Sequence, residues 1–133
     1  MSFDIFVQDI PANAKGAEDI PDDFRPQPIG PRRALVAAIR KVAPEVKFAT
    51  PEWGTIDADD YSVEINIGLH DPVMSFAFHV RGSERGMFLV AEILAELGAR
   101  AFAPGTESGF FEVDRGAEAF LRWQAFRDRV AKP

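Results

Sequence analysis

Two neighbouring stretches of strict alternation constrain the fold of this chain more than any other feature of its sequence. Apolar side chains occupy every second position from Tyr61 to Ile67, and again from Met74 to Val80. A period of two is the pattern of a β-strand with one buried face. The intervening GLHDP has turn character, so the two stretches predict an antiparallel hairpin.

The alternation also predicts a register for this hairpin. A tight turn centred on positions 70 and 71 pairs Val63 with Phe78 on the apolar face. On the polar face the same turn pairs Ser62 with His79, and Glu64 then lies diagonal to that histidine. A slip of one residue would set apolar side chains against polar ones along the whole hairpin.

The remaining patterns complete an α+β chain. They predict, in order, a strand at 3–7, helices at 31–42 and 83–97, a short strand RAFA, an extended piece GFFEV and a C-terminal helix at 119–130. Strand, helix, strand, strand, helix, strand is the split βαβ or ferredoxin-like (βαββαβ) order with an antiparallel sheet, extended here by an additional hairpin strand and the C-terminal helix. We expect the first two helices on the apolar face and the C-terminal helix partly over the other.

The whole chain, residues 1–133, is predicted to form a single domain. Hydrophobic residues make up 47%, with twelve Phe, which excludes the composition of a disordered chain. Between residues 11 and 30 the sequence shows neither the period of a strand nor that of a helix, and it contains four prolines and four acidic residues. This segment is predicted to be a long proline-rich acidic loop, either a solvated crossover or a functional segment.

Charge and composition exclude several classes of function. Fifteen basic and twenty-one acidic residues give a net charge of −6, so a nucleic acid would be repelled on average. The absence of cysteine removes disulfides and thiolate metal sites. Apolar runs are too short to span a bilayer, and the start lacks a secretory pattern. We expect a cytoplasmic protein without nucleic-acid or membrane partners, metal or cofactor.

The acidic stretch WGTIDADDYSVE raises the question of a metal site. A calcium loop of the EF-hand kind needs a central glycine and flanking helices, which are missing here. The four residues DADD instead have turn character, and a hairpin around them pairs Ile56 with Tyr61. Acidic side chains in this turn and in the long loop are candidate contacts for a basic partner. They are Asp57, Asp59, Asp60, Asp22 and Asp23.

The polar face of the predicted sheet is the second candidate site. A carboxylate beside an imidazole can orient it and change its basicity. His79 is predicted to share its face with carboxylates, although a partly buried histidine satisfied by hydrogen bonds is the simpler interpretation. Trp53 either packs at the edge of the core or anchors an interface. The candidate binding residues are His79, Glu64, Ser62, Asp4, Arg81 and Trp53.

Several segments together resemble a group of small, mostly uncharacterised bacterial proteins. They are SFDIFVQDIP, WGTIDADDYSVEINIG, SFAFHVRG and RAFAPGTESGFFEV. The resemblance implies a bacterial cytoplasmic domain without a defined activity. Some small acidic bacterial domains of this general kind are immunity proteins that neutralise toxins, which is an analogy at the level of the fold.

No catalytic motif stands out, since the chain has no glycine-rich phosphate loop, G-x-S-x-G elbow or H-E-x-x-H. The first hypothesis is therefore a non-enzymatic binding domain whose acidic surfaces meet a basic protein. The alternative is a small-molecule binder or enzyme that uses the sheet face around His79 and Glu64. A third is a structural domain that forms homo-oligomers.

Overall fold

The computed structural model describes residues 2–112, and the C-terminal helix predicted at 119–130 lies outside them. Its strands and α-helices are β1 (Phe3–Gln8), α1 (Arg32–Val42), β2 (Lys47–Thr50), β3 (Trp53–Asp57), β4 (Tyr61–Asn66), β5 (Ser75–Gly82), α2 (Arg85–Leu97) and β6 (Ala101–Phe102). All strand pairs are antiparallel, and the sheet order is β2-β3-β4-β5-β1-β6. The described chain is therefore α+β, with a six-stranded antiparallel sheet and two α-helices.

The sheet differs from the prediction at its two edges. Beyond β4 it carries both β3, which the hairpin pattern predicted, and β2, which was not predicted. At the other edge, the predicted additional strand GFFEV contributes a single bridge, from Phe110 to Phe102. Phe110 is instead buried in a small separate cluster with Ile10 and Ala14. A ferredoxin-like arrangement is thus not established by the strand order.

Both helices cover the apolar face, as the alternation predicted. Ile5, Val63 and Phe78 on this face are fully buried. They share one core with Ile39 of α1 and Val90 of α2. The helices form because apolar residues recur at helical spacing, and α2 ends at Gly98 with φ of 65°, the left-handed conformation that glycine adopts readily.

The predicted hairpin register is wrong by two residues. In the structure Ile65 lies opposite Phe78 and Glu64 lies opposite His79. The connection is longer than a tight turn because Val73 bridges to the segment ahead of α1. The Val73 N–H donates to the Gly30 carbonyl at 2.8 Å, and the Val73 carbonyl accepts from the Ile29 N–H at 2.8 Å. Since side chains alternate with a period of two, a shift of two keeps every residue on its predicted face.

The acidic hairpin shows the same type of error. The turn is present, but Ile56 lies opposite Val63 rather than Tyr61. The Ala58 N–H donates to the Tyr61 carbonyl at 2.9 Å, so the loop itself contains only residues 59 and 60. A turn centred one position later moves every pair by two residues and again preserves the faces.

The long loop at 11–30 is attached to the domain at several points. Arg100 donates to the Pro11 carbonyl at 2.6 Å and to the Ala14 carbonyl at 2.8 Å. Its guanidinium also lies 4.5 Å from the centroid of the Phe110 ring. Further along, the Gln27 N–H donates to the Asp9 carboxylate at 2.9 Å. These bonds hold both ends of the loop near the end of β1.

Candidate functional site

The sheet face opposite the two helices, here named the outer face, carries a row of polar side chains across five strands. Register alone places them in line, because each residue lies opposite the next. Neighbouring residues in such a row are close enough for their side chains to interact. From β2 to β1 the row is Lys47, Thr55, Glu64, His79 and Asp4.

The central contact of the row joins His79 and Asp4. The imidazole Nδ1 lies 2.7 Å from Asp4 Oδ1, and the two side chains are 23% and 38% exposed. Ser2 Oγ donates to the same carboxylate oxygen. A carboxylate at Nδ1 fixes the imidazole in one orientation and leaves Nε2 for a second interaction. The prediction that these residues share a face is confirmed.

Trp53 lies over this histidine rather than in the core. The ring centroids of Trp53 and His79 are 6.2 Å apart, with an angle of 24° between the ring planes. Both side chains are half-buried. A tryptophan stacked on an imidazole presents a large, rigid contact area, the kind of anchor found in protein interfaces.

Glu64 and Arg81 form the second ion pair of the outer face. Arg81 Nη1 donates to Glu64 Oε1 at 2.8 Å, and the side chains are 43% (arginine) and 32% (glutamate) exposed. Glu64 lies opposite His79, but its described bond is to the arginine, whereas Asp4 holds the imidazole. Ser62 lies opposite Arg81, so the predicted Ser62 and His79 pair is wrong.

A shallow concavity of about 540 Å³ lies beside the row, towards the end of β1. Phe6 borders it and is 43% exposed, which is high for a phenylalanine. The amides of Gln8 and Asn66 and the hydroxyl of Ser75 lie at its border. Alternation placed these residues on the outer face, but none of them carried a motif that would mark a site.

The candidate acidic residues fall at opposite ends of the sheet. Asp57 lies opposite Ser62 at the end where β1 begins, and Asp59 is exposed in the adjoining turn. Asp22 and Asp23 are exposed on the long loop, which follows the other end of β1. The structure therefore does not bring the two acidic segments into one patch.

Asp60 has a structural role in the turn. Ser83 Oγ donates to its carboxylate at 2.8 Å, and Arg85 Nη1 donates at 3.0 Å. The Ser83 hydrogen bond, supported by the arginine charge, lowers the pKa of Asp60 below its ordinary value. This aspartate connects the β3–β4 turn to the start of α2, whereas Asp57 and Asp59 make no such bond within residues 2–112.

The outer face offers an oriented imidazole and two ion pairs. A histidine held by a carboxylate can serve as a general base, but the predicted serine is not opposite it. Among residues 2–112 no three His, Asp or Glu side chains are grouped so that they could hold a metal. No helix in that range is long and apolar enough to cross a membrane.

Residues 2–112 form a small α+β domain whose outer sheet face is aromatic and charged and is covered by neither α1 nor α2. No protein-family model, curated protein or solved structure matches the chain.

Proposed function

We propose that this protein is a non-enzymatic binding domain that holds a protein partner against the outer face of its sheet. The observation that carries the proposal is the stack of Trp53 on His79, with the imidazole fixed by Asp4 at 2.7 Å. Side chains oriented in this way lose little conformational entropy when a partner covers them.

The charges of the outer face support a protein as the partner. Glu64 is neutralised by Arg81 at 2.8 Å, and the histidine has its own carboxylate. Charged groups that are already paired cost less to cover than isolated ones, and interface centres are depleted of isolated charges. Phe6 adds exposed apolar area beside the aromatic stack.

The negative charge at the edge of the outer face favours a basic partner. Asp57 and Asp59 are exposed where the outer face meets the acidic turn, and the net charge is −6. Such charges accelerate association with a basic protein more than they increase affinity. A cytoplasmic toxin-neutralising immunity protein is one kind of domain with these properties.

Site-specific photocrosslinking in cells tests this proposal. A photoreactive phenylalanine analogue is placed at Asn66, which is exposed on the outer face opposite Ala77. The matched control carries the analogue at Glu92, an exposed position on α2 and so on the other side of the sheet. We expect the Asn66 protein alone to give a defined higher-mass product, identified by mass spectrometry as a basic protein.

One further variant makes the result specific. Trp53→Ser should reduce the yield of the Asn66 product several-fold, because it removes the proposed anchor. Identical products from both labelled positions would contradict the proposal. A product that contains only this chain would also contradict it and would assign the outer face to an internal contact or to a homo-oligomer.

A small-molecule site is the second candidate function, and the concavity of about 540 Å³ favours it. Its size falls within the range of ligand pockets, with polar groups at its border and an oriented imidazole nearby. A library of polar metabolites, screened by the NMR signals of His79 and Asn66, tests this alternative. Saturable shifts confined to the outer face would support it, and none would count against it.

We also propose that β4, β5, β1 and β6 keep the ferredoxin-like order. In support of this, β1 lies between β5 and β6, and α1 and α2 lie in the two crossover connections. In this interpretation β2 and β3 are additions that widen the outer face, since Trp53 belongs to β3. A solved structure that aligned β4, β5, β1 and β6 with that fold would test it.

A further inference from the structure

The strand β2 forms an open edge of the sheet. It pairs with β3 on one side, and no strand among residues 2–112 pairs with its other side. The opposite edge is covered, because the chain after β6 turns back through bonds from Ala103 N–H to the Gly109 carbonyl and from Phe111 N–H to the Ala101 carbonyl. An exposed strand edge offers backbone donors and acceptors to a further strand.

A groove of about 310 Å³ runs between this edge and α1. Arg32, Val36 and Arg40 line its helical side at a spacing of four residues, which places them on one face of α1. Phe48 of β2 lies on the other side, half-buried against the core. The groove is thus apolar in its centre and runs beside the open edge.

The rim of the groove is basic although the chain as a whole is acidic. The Arg40 guanidinium lies 5.8 Å from the centroid of the Phe48 ring. Arg32, the other cation of the groove, is occupied by backbone, because it donates to the Pro51 carbonyl at 2.8 Å and also to the Gly68 carbonyl. Lys47 is exposed on the same edge strand but on its outer face. Within residues 2–112 neither Arg40 nor Lys47 forms an ion pair with a carboxylate.

We propose that β2 and this groove bind an extended acidic peptide, which adds to the sheet as a seventh strand. The peptide backbone pairs with the outer side of β2. An apolar side chain of the peptide enters the groove beside Val36 and Phe48, a carboxylate on the same face of the peptide meets Arg40, and carboxylates on its other face lie on the side of Lys47. Strand addition beside a helix-lined groove is a recurring form of peptide recognition.

The charges at this edge favour an acidic peptide over a second copy of the chain. Lys47 on the edge, and the bulge between Phe48 and Thr50, are features that natural sheets use against pairing with their own copies. Pairing of β2 with β2 of a second copy would bring basic side chains together. An acidic strand at the same edge would be attracted by Lys47 and Arg40. The groove is distinct from the outer face proposed above, because Val36, Arg40 and Phe48 lie on α1 and on the helix-covered core; Lys47 is the one residue that the edge shares with the outer-face row.

A synthetic peptide probe tests the proposal on the full chain. The probe is a fluorescein-labelled octapeptide of repeated Val-Glu-Glu-Glu, which places Val and Glu on one face of the added strand and Glu alone on the other, and the comparison peptide has Lys in place of Glu. We expect the Val/Glu peptide alone to bind, with affinity that falls as salt rises. Amide NMR shifts should be confined to residues 33–40 and 47–51. Absence of binding, equal binding of both peptides, or shifts elsewhere would overturn the proposal.

Two sets of variants distinguish strand addition from simple charge attraction. N-methylation of alternate peptide residues removes donors from one edge only, so one of the two methylated forms should lose binding and the other should keep it. Arg40→Glu should weaken binding about tenfold, while Arg25→Glu makes the same charge change on the exposed long loop and should have little effect. Equal effects of both substitutions, or of both methylated peptides, would refute the specific site.

Discussion

The close approach of α2 to the sheet depends on Gly86. A Cβ at this position would lie 2.7 Å from Val80 Cγ1 and 3.2 Å from Tyr61 Cδ2. Val80 is fully buried in β5, so its side chain can move aside only by displacing its neighbours in the core. Replacing Gly86 with Ala therefore tests whether this contact sets the position of the helix on the sheet that carries the outer face.

Two opposing contributions determine the magnitude. Alanine is favoured over glycine inside a helix by about 0.8–1 kcal/mol. Two carbon atoms at 2.7 Å are far inside the usual contact of about 3.5–4.0 Å, and overpacking of a core costs about 1–3 kcal/mol. We expect Gly86→Ala to lower the free energy of unfolding by about 1 kcal/mol net, the balance of these two ranges.

Urea unfolding followed by circular dichroism measures this change, with Val80→Ala as the second member of a double-mutant cycle. Val80→Ala alone should cost about 2 kcal/mol because it removes buried methyl groups. In that background Cγ1 is absent, while the contact with Tyr61 Cδ2 at 3.2 Å remains. Gly86→Ala should therefore be less destabilising than in the wild-type background, by about 1 kcal/mol.

Either of two results would show that the contact with Val80 does not set the position of α2. A gain in stability from Gly86→Ala in the wild-type background would mean that the helix and sheet relax around the new methyl group. An equal loss in both backgrounds would mean that the cost comes from the helix backbone and not from the contact with Val80.

Two other predictions concern Asp60 and Arg100. Because its folded-state pKa is lowered, Asp60 contributes stability above its ordinary pKa of 3.8, and this contribution is lost as the pH falls through the lowered value. Asp60→Asn should thus be less stable than wild type at pH 7, with a difference that shrinks on acidification in urea unfolding series; a constant difference would contradict this. Arg100→Ala should cost about 2 kcal/mol, because two carbonyl bonds and the contact with Phe110 are lost. Hydrogen exchange in residues 11–20 should accelerate, and unchanged exchange would show that the loop is held by other contacts.

Much of the fold follows from periodicity in the sequence. Alternation identified β1, β4 and β5 and assigned each side chain to its face, because the period of a strand does not depend on its partner. Helical spacing located α1 and α2 within about two residues at their ends. Alternation also predicted that Asp4, His79 and Glu64 share one face of the sheet.

Tertiary contacts decided which residues on that face meet. Val73 pairs with Gly30 from a distant segment, and this long-range bridge moves the hairpin by two residues, which alternation cannot detect because faces are preserved. As a result Glu64 bonds Arg81 and the imidazole bonds Asp4. The open edge at β2 was equally invisible, since four mostly exposed residues carry little periodic signal. The sequence by itself determined the faces of the sheet; the packing of distant segments decided the pairs, the edges and therefore the sites.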